Sequence, residues 1–173
     1  MGVRMRDNQE NYERSPVEDI ANEADDPEDI VFFVAGDPQP KGSTRSFYVK
    51  KVDRVVTTTT NKNTKQWQLR IAMEAQHVNE QRQVSFYCPD KDCGFEVEAH
   101  FLFSRPKSLP KKIRLDTKRP DLDKLVRAVL DGLANILIPD DAQVISIVAS
   151  KRYVETGETP GARIMVRKVK PVR

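Results

Sequence analysis

Two carboxylates spaced two residues apart mark the part of the sequence best suited to chemistry. Asp121 and Asp123 follow a basic pair at residues 118–119, and a second acidic pair, Asp140 and Asp141, comes after a helical apolar pattern. Carboxylate oxygens are the hard ligands that Mg²⁺ prefers, and an ion held by one or two of them readily engages phosphate. Because basic neighbours suit a polyanionic substrate, this stretch predicts a metal-dependent site that acts on a phosphodiester.

The first acidic pair also has a structural interpretation. Asp121 can be the N-cap of the following helix, and Asp123 in its first turn suits the helix dipole. Asp140 and Asp141 have no such capping duty in the sequence pattern. The loop at 104–119 carries seven basic side chains against one acid. These two observations favour a catalytic role for the acidic residues over a purely structural one.

Whether the two acidic pairs meet depends on where the helix ends. From Asp123 to Asn135 a helix rises roughly 18 Å, and the six steps from there to Asp141 span about 20 Å if extended. A chain that reverses directly can therefore return Asp141 to the first pair. A helix that continues to Leu137 leaves Asp141 facing another site, such as one across a dimer. The sequence leaves both arrangements open.

The elements that must position these acids follow from hydrophobic periodicity. Helices are predicted for residues 64–81, with Thr64 as a cap, and for the apolar stripe that runs from Leu122 to Leu137. The predicted strands are Ile30–Ala35, Ser46–Val49 paired with Arg54–Thr58 as a hairpin, Gly94–Phe103, Gln143–Ala149 and Ala162–Arg167, the last two joined by a turn.

Charge divides the chain into two parts. Residues 1–29 carry ten acidic and three basic side chains, a net charge of −7, whereas residues 30–173 have a net charge of +10. The first part is predicted to be a disordered acidic tail, and the second a single domain that attracts polyanions. We hypothesise that the tail competes with DNA for this basic domain.

The remaining composition excludes several classes of protein. No signal peptide or membrane span is evident, which predicts a soluble intracellular protein. Cys88 and Cys93 are the only cysteines, so we expect two reduced thiols on a turn, and a zinc site with His77 and His100 is disfavoured. His100, on the polar face of its strand, is interpreted as a surface or second-layer residue.

Three sequence motifs resemble those of a known family. They are Arg119-Pro-Asp-Leu-Asp-Lys124, the helical Leu130-Asp-Gly-Leu133 and the later Asp140-Asp-Ala-Gln-Val144. Together they resemble the RusA family of Holliday-junction resolvases, and the segment at 35–42 resembles the start of phage-type members. The match spans roughly residues 31–168. It implies a homodimeric α/β (α+β) protein with helices packed on a mixed sheet. It also implies an endonuclease that depends on Mg²⁺, for which Mn²⁺ can substitute, and that nicks four-way DNA junctions symmetrically in recombination and repair.

The resemblance also assigns residues. It implies Asp121, Asp123 and Asp141 as catalytic metal ligands, with Asp140 adjoining them. At the family's catalytic lysine this chain has Arg127, which keeps the charge but cannot donate a proton near neutral pH. Arg127 therefore acts electrostatically, or Lys124 takes over the lysine role. The predicted DNA-binding residues are Lys41, Arg45, Lys111, Lys112, Lys118, Arg119 and Lys124.

Two other functions compete with this interpretation. One is a junction- or single-strand-binding protein that does not cleave, and the other is a nuclease of the PD-(D/E)xK class, which lacks a convincing downstream acid and lysine here. The expected partners are junction DNA and a second copy of the chain, with no membrane and no small-molecule substrate. The expected location is the cytoplasm of a bacterium, with a phage or prophage gene as a possible source.

Overall fold

A computed structural model describes residues 29–42, 44–59, 61–82, 85–110, 112–113 and 116–169. The tail at 1–28 and Lys111 therefore lie outside the described residues, as does the side chain of Arg45. The helices are α1 (Thr64–Glu80) and α2 (Leu122–Leu133). The strands are β1 (Ile30–Ala35), β2 (Thr44–Val49), β3 (Arg54–Thr59), β4 (Gly94–Phe103), β5 (Val144–Tyr153) and β6 (Gly161–Val169).

The main sheet has four strands in the order β1-β6-β4-β5, and β2 and β3 form a separate hairpin. Only β4 and β5 are parallel; the other neighbouring pairs are antiparallel. Because parallel strands need a crossover connection, α2 lies between β4 and β5 and runs back along the sheet. The mixed sheet with helices packed on it confirms the predicted α+β class.

The core lies between the two helices and one face of the sheet. Alternate residues of β4 point into it, including Phe95, Val97 and Phe101, all almost fully buried. The helices approach each other closely at Gly132, where an added Cβ would lie 2.9 Å from Cβ of Ile71 and 3.0 Å from the carbonyl oxygen of Gln68. A glycine is required there by space, since its φ is ordinary for a helix.

The second helix ends one turn earlier than its apolar stripe predicts. Ala134 leaves the helical conformation, and Asn135 adopts the left-handed region with φ 62°. Leu137 and Ile138 are nevertheless buried, because the tight turn at 134–138 brings them into the hydrophobic core. Their burial in a turn explains why the pattern extended the predicted helix too far.

Other local predictions need correction. Thr64 is not the cap of α1: Asn63 holds that position, and the Thr64 hydroxyl donates to the carbonyl of Pro40 at 2.8 Å. The prediction that a turn joins β5 to β6 is confirmed, and β4 lies between the two strands in the sheet. His100 is buried, with Nδ1 2.8 Å from the Ser150 hydroxyl, so of the two predicted alternatives the surface position is wrong and the second-layer position remains.

The two cysteines form a disulfide, which contradicts the prediction of reduced thiols. Cys88 and Cys93 have Cα atoms 6.4 Å apart, within the range that a disulfide can bridge. A turn brings them together, with the Cys93 amide donating to the carbonyl of Asp90 at 3.0 Å. The sequence contains only these two cysteines and no pattern of several cysteines typical of disulfide-rich proteins, so it did not indicate the disulfide.

Asp29, which the sequence analysis assigned to the acidic tail, makes contacts within the domain. Its side chain is fully buried and accepts three hydrogen bonds from Arg167 on β6, at 2.8 to 3.2 Å. The Arg82 guanidinium also donates to the Asp29 carbonyl at 3.0 Å. This acid therefore belongs to the folded domain, although its composition placed it with the acidic tail.

Candidate active site at the start of the second helix

Asp121 stands immediately before α2 with an extended backbone, the conformation of an N-cap residue. Its side chain, however, makes no capping hydrogen bond. One carboxylate oxygen instead accepts from Nζ of Lys124 at 2.7 Å, and about half of the side chain is exposed. Asp121 therefore occupies the N-cap position but does not cap the helix with its side chain. Its carboxylate bonds to Lys124 and remains partly exposed to solvent.

Lys151 fixes the segment that leads into the helix. This residue lies near the carboxyl end of β5, and its ammonium donates to the carbonyls of Lys118 and of Pro120, the latter at 2.8 Å. These two hydrogen bonds orient the backbone just before Asp121. Because the acceptors are carbonyl oxygens, the positive charge of Lys151 is not neutralised by them. The end of the sheet and the start of α2 are thereby held together.

A cleft of about 640 Å³ opens beside Asp121. One wall is the loop at 37–42, and the other is formed by residues 119–121 and Lys124, with Phe103 and Asn61 also in the lining. The Lys41 amide donates to the Lys124 carbonyl at 2.8 Å, which joins the two walls. The cleft therefore combines one carboxylate of the predicted site with basic side chains on both sides.

The charges around Asp121 favour its ionised form. The Lys124 ammonium, through its hydrogen bond and its charge, lowers the pKa of Asp121 below the usual value. Arg119 and Lys151 contribute in the same direction, and partial desolvation opposes them. An acid with a lowered pKa is a carboxylate throughout the neutral range, as a cation ligand must be.

The remaining residues of the predicted acidic site lie in two places. Asp123 is exposed in the first turn of α2, and Arg127 is exposed one turn later. Asp140 and Asp141 belong to a short 3₁₀ turn, Asp141–Gln143, before β5. The Asp140 carboxylate accepts from the Ala142 amide at 2.8 Å, so it does cap a turn, contrary to the expectation from the sequence.

The crossover geometry separates these two places within one chain. Asp121 lies at the carboxyl end of β4 and β5, whereas Asp141 precedes the amino end of β5, close to the Gln143 side chain that bonds the carbonyls of Asp90 and Cys93. Helix α2 covers roughly 17 Å between the two ends. The direct return of Asp141 to Asp121 is therefore not found.

This separation bears on metal binding. Within the ranges that the structure describes, no group of three or more Asp, Glu, His or Cys side chains could hold a metal ion. The three-carboxylate set predicted from the sequence thus does not fit inside one chain. Asp121 lines the cleft, and Asp123 is exposed two residues further along, in the first turn of α2.

The predicted DNA-binding residues differ in their surroundings. Lys112, Lys118 and Arg119 are exposed. Lys41 instead pairs with Asp131 of α2 at 2.8 Å, and the Gln68 amide donates to the same carboxylate at 2.7 Å. Asp131 therefore fastens the 37–42 loop and α1 to α2.

Sequence reasoning missed two residues of this site. Lys151 lies on a strand more than 25 positions from Asp121, so no local pattern connects them. Asp37 lines the cleft and accepts from the Ser104 hydroxyl at 2.7 Å, which ties the first loop to the start of the basic loop. Asp37 lies in the segment at 35–42 that resembles the start of phage-type members, and this resemblance could have identified it as a site residue.

Comparison with known proteins identifies the class. The sequence model of the family "Endodeoxyribonuclease RusA" matches residues 37–167, so the chain belongs to the RusA family. The family consists of endodeoxyribonucleases that act on Holliday junctions, which confirms the resemblance and the class of enzyme.

A relative of unassigned activity is also similar to the chain. The "Uncharacterized protein YqaN" of Bacillus subtilis (strain 168) is 38% identical over 53 residues, which cover 31% of this chain and 35% of that relative. The aligned part is thus about a third of the relative's length. In the described part of the chain, no helix is long and apolar enough to cross a membrane.

Proposed function

We propose that this protein is a structure-selective endonuclease that resolves four-way DNA junctions by paired symmetric nicks, with Mg²⁺ as the cofactor. Family membership supports an endonuclease of junction DNA. The observation that carries the proposal is the position of Asp121, in a cleft with Arg119 and Lys124 and next to the Lys151 anchor. A carboxylate surrounded by cations suits a site that receives both a metal ion and a phosphate.

The basic side chains near the cleft have two different roles in binding a polyanion. Lys112, Lys118 and Arg119 are exposed, Arg119 lines the cleft, and all three would contact phosphates, so affinity should fall steeply with salt. The Lys41 side chain already has a carboxylate partner in Asp131, so we assign it to holding the cleft wall. Junction binding then depends chiefly on the 112–119 segment.

Lys124 is better placed than Arg127 for the role of the family's lysine. Its ammonium lies 2.7 Å from the Asp121 carboxylate and lines the cleft, whereas Arg127 is exposed one turn further along the helix. A lysine there can stabilise charge that develops on a reacting phosphate and can also donate a proton. Arg127 supplies positive charge alone.

Members of this family generally depend on a divalent metal. When bound, such an ion polarises a phosphoryl oxygen and lowers the pKa of bound water. Because one chain does not assemble three carboxylates, the residues of a single cleft are assigned only binding and electrostatic roles. Of the acids that the family resemblance assigns, Asp121 lines the cleft and Asp123 lies two residues from it, and the Asp37 carboxylate also lines the cleft.

The test uses a synthetic four-way junction with one labelled strand, incubated with the purified protein. Paired nicks that require Mg²⁺ and stop on addition of EDTA are the expected result. Asp121→Asn should abolish cleavage while junction binding, measured by gel shift with EDTA present, stays within about threefold. Binding without any cleavage by the unsubstituted protein, with Mg²⁺ or Mn²⁺, would instead establish the non-cleaving alternative.

A further inference from the structure

The residues from Cys88 to Cys93 form a closed segment just before β4, here called the disulfide segment. The disulfide joins its two ends, and the Cys93 amide donates to the carbonyl of Asp90 at 3.0 Å. The four residues between the cysteines are exposed. In the described part of the chain, the hydrogen bonds of these four residues are those that the Asp90 carbonyl accepts. The segment therefore depends on the disulfide for its closed shape.

This disulfide is not a general staple of the domain. The domain has a contiguous hydrophobic core, to which Phe86 and Phe95 on either side of the segment belong. A chain of this size folds around such a core without a cross-link. A cross-link also constrains the unfolded chain least when the loop that it closes is short, and these cysteines are 5 positions apart. The bond therefore orders its own segment more than it stabilises the whole fold.

A thiol reductant has access to the bond. The two cysteines are 8% and 6% exposed, and the residues that link them are at the surface. A dithiol attacks one sulfur as a thiolate and forms a mixed disulfide, which its second thiol resolves. The S–S bond of the protein breaks, two electrons pass from the dithiol to the cysteines, and the reductant leaves as a disulfide. The two protons of the reductant end on the thiols of Cys88 and Cys93.

The surroundings of the bond make its opening local and reversible. Phe86 lies two positions before Cys88 and Phe95 two positions after Cys93, and both rings are buried with centroids 6.0 Å apart. These two anchors remain in the core when the bond opens, so the thiols stay near each other and can pair again. An opened segment therefore gains freedom only between its two cysteines.

One side chain connects the disulfide segment to the acidic turn, residues 140–143. The Gln143 side-chain amide donates to the carbonyls of Asp90 and Cys93, at 2.9 and 3.1 Å. Its backbone amide donates to the Asp140 carbonyl at 2.9 Å, within the turn. Because the two side-chain amide protons need two carbonyls at a fixed separation, Gln143 holds both only while the segment keeps its closed shape.

A second contact connects the same two places. Gly94 directly follows Cys93, and a Cβ added to it would lie 3.0 Å from Cδ1 of Ile145. The two strands thus pack closely at the point where the disulfide segment leads into β4 and the acidic turn leads into β5. Movement at the start of one strand therefore disturbs the start of the other.

We propose that the Cys88–Cys93 disulfide is a thiol–disulfide exchange site through which a dithiol reductant loosens the acidic turn. The oxidised protein holds this turn in place, and the reduced protein lets it move. The inference rests on the proposed function for its effect on cleavage, because the family resemblance places Asp140 and Asp141 among the metal-binding acids. Junction cleavage is therefore faster in the oxidised state.

The redox state is measured first, by alkylation of the native protein with iodoacetamide and mass spectrometry. Protein purified without reductant should carry no alkylated cysteine, and after treatment with dithiothreitol both cysteines should be alkylated, with unchanged circular dichroism. Reduction without denaturant should take minutes to hours, because the cysteines are mostly buried. A native protein in which oxidised glutathione forms no disulfide, or in which dithiothreitol opens none, would overturn the proposal.

Amide hydrogen exchange measures the coupling to the acidic turn. The amides of Ala142 and Gln143 both donate to Asp140, and on reduction they should exchange at least about 10-fold faster. The amides at the centre of α1, around Ile71, are the internal reference and should keep their rates. Unchanged exchange at the turn after the bond has opened would show that the disulfide is only a local cross-link, which contradicts the proposal.

Variants locate the connection. Gln143→Ala in the oxidised protein should reproduce the fast exchange of the Ala142 amide, and dithiothreitol should then add less than about twofold. Gln76→Ala is the matched control, because the Gln76 amide also donates to a neighbour, Glu80 on the exposed face of α1, at 2.7 Å. In this control the acidic turn should respond to reduction as in the unsubstituted protein. A response of about 10-fold that persists in Gln143→Ala would refute the connection through this side chain.

Single-turnover cleavage of a four-way junction measures the effect on activity. With Mg²⁺ present, reduction should lower the rate of the unsubstituted protein about 5–10-fold and leave Cys88→Ser/Cys93→Ser unchanged. Junction binding with EDTA present should stay within about twofold, because the predicted DNA-binding residues lie outside the disulfide segment. Equal cleavage rates before and after the bond has opened would refute the effect on activity.

These results separate the inference from the proposed function. An acidic turn that loosens on reduction, in a protein that never cuts a junction, supports the redox-sensitive coupling and refutes the endonuclease. Junction cleavage that dithiothreitol does not change, with a turn that does not loosen, leaves the endonuclease standing and overturns the inference.

Discussion

Asp29→Asn tests whether the buried ion pair between Asp29 and Arg167 stabilises the domain. The Asp29 carboxylate is 0% exposed, and its Arg167 partner is 41% exposed. Breaking a fully buried pair costs about 3–5 kcal/mol. Because water can reach the Arg167 guanidinium and an amide oxygen can still accept one hydrogen bond, we expect a loss of about 2 kcal/mol.

The assay is urea unfolding followed by circular dichroism, with thermal unfolding as a second measurement. A loss of about 2 kcal/mol corresponds to a decrease in Tm of about 4–8 °C for a domain of this size. Asp92→Asn, in an exposed turn, is the matched control and should change the unfolding free energy by less than about 0.5 kcal/mol.

Removal of the tail gives an independent measurement. A chain that begins at residue 29 keeps the ion pair, whereas one that begins at residue 30 loses it, so the two should differ by a similar free energy. If Asp29→Asn unfolds at the same urea concentration as the unsubstituted protein, the ion pair with Arg167 does not stabilise the domain and the reasoning is wrong.

Three further results are expected. Lys124→Ala should reduce the single-turnover cleavage rate ~100-fold, since the ammonium beside the Asp121 carboxylate is removed, whereas Arg127→Ala should reduce it less than 10-fold. The Arg152 guanidinium lowers the pKa of Glu158 to about 2, so the stability from this pair is complete above pH 4.5 and is lost as the pH falls to about 2. It amounts to about 1 kcal/mol after solvent screening, because both side chains are partly exposed. Gly132→Ala should destabilise the protein by about 1–2 kcal/mol in urea, because a clash with α1 exceeds the gain in helix propensity.

Each of these expectations has a contrary outcome. A larger loss of cleavage rate in Arg127→Ala than in Lys124→Ala would show that Arg127, and not Lys124, fills the role of the family's catalytic lysine. Stability that is equally sensitive to acid in Arg152→Met would remove the ion pair as its cause; this is measured by urea unfolding between pH 2 and 5. A stabilised Gly132→Ala would show that the two helices can separate by a few tenths of an ångström at little cost.

The sequence predicted most elements because their apolar patterns are regular. The alternation of β4 and the stripe of α2 both identify the correct face, and the motif around Asp121 identified the family. The end of α2 was misjudged because Leu137 and Ile138 are buried in a turn, and burial in a turn continues an apolar pattern without continuing a helix.

The arrangement of the acids could not be predicted from spacing alone. Residue spacing limits how far Asp141 can lie from Asp121, but the direction of the chain after α2 depends on which strand β5 joins. Once β5 pairs parallel to β4, the two acidic pairs must lie at opposite ends of the sheet. The disulfide and the anchor from Lys151 likewise depend on tertiary contacts between distant segments.

The hydrogen bonds from Lys151 to the carbonyls of Lys118 and Pro120 have a thermodynamic consequence. They make the end of an edge strand and the end of the basic loop at 104–119 a single unit, so a ligand that orders one part stabilises the other. Amide hydrogen exchange along β5 should therefore slow on addition of junction DNA, although the proposed DNA contacts lie on the loop.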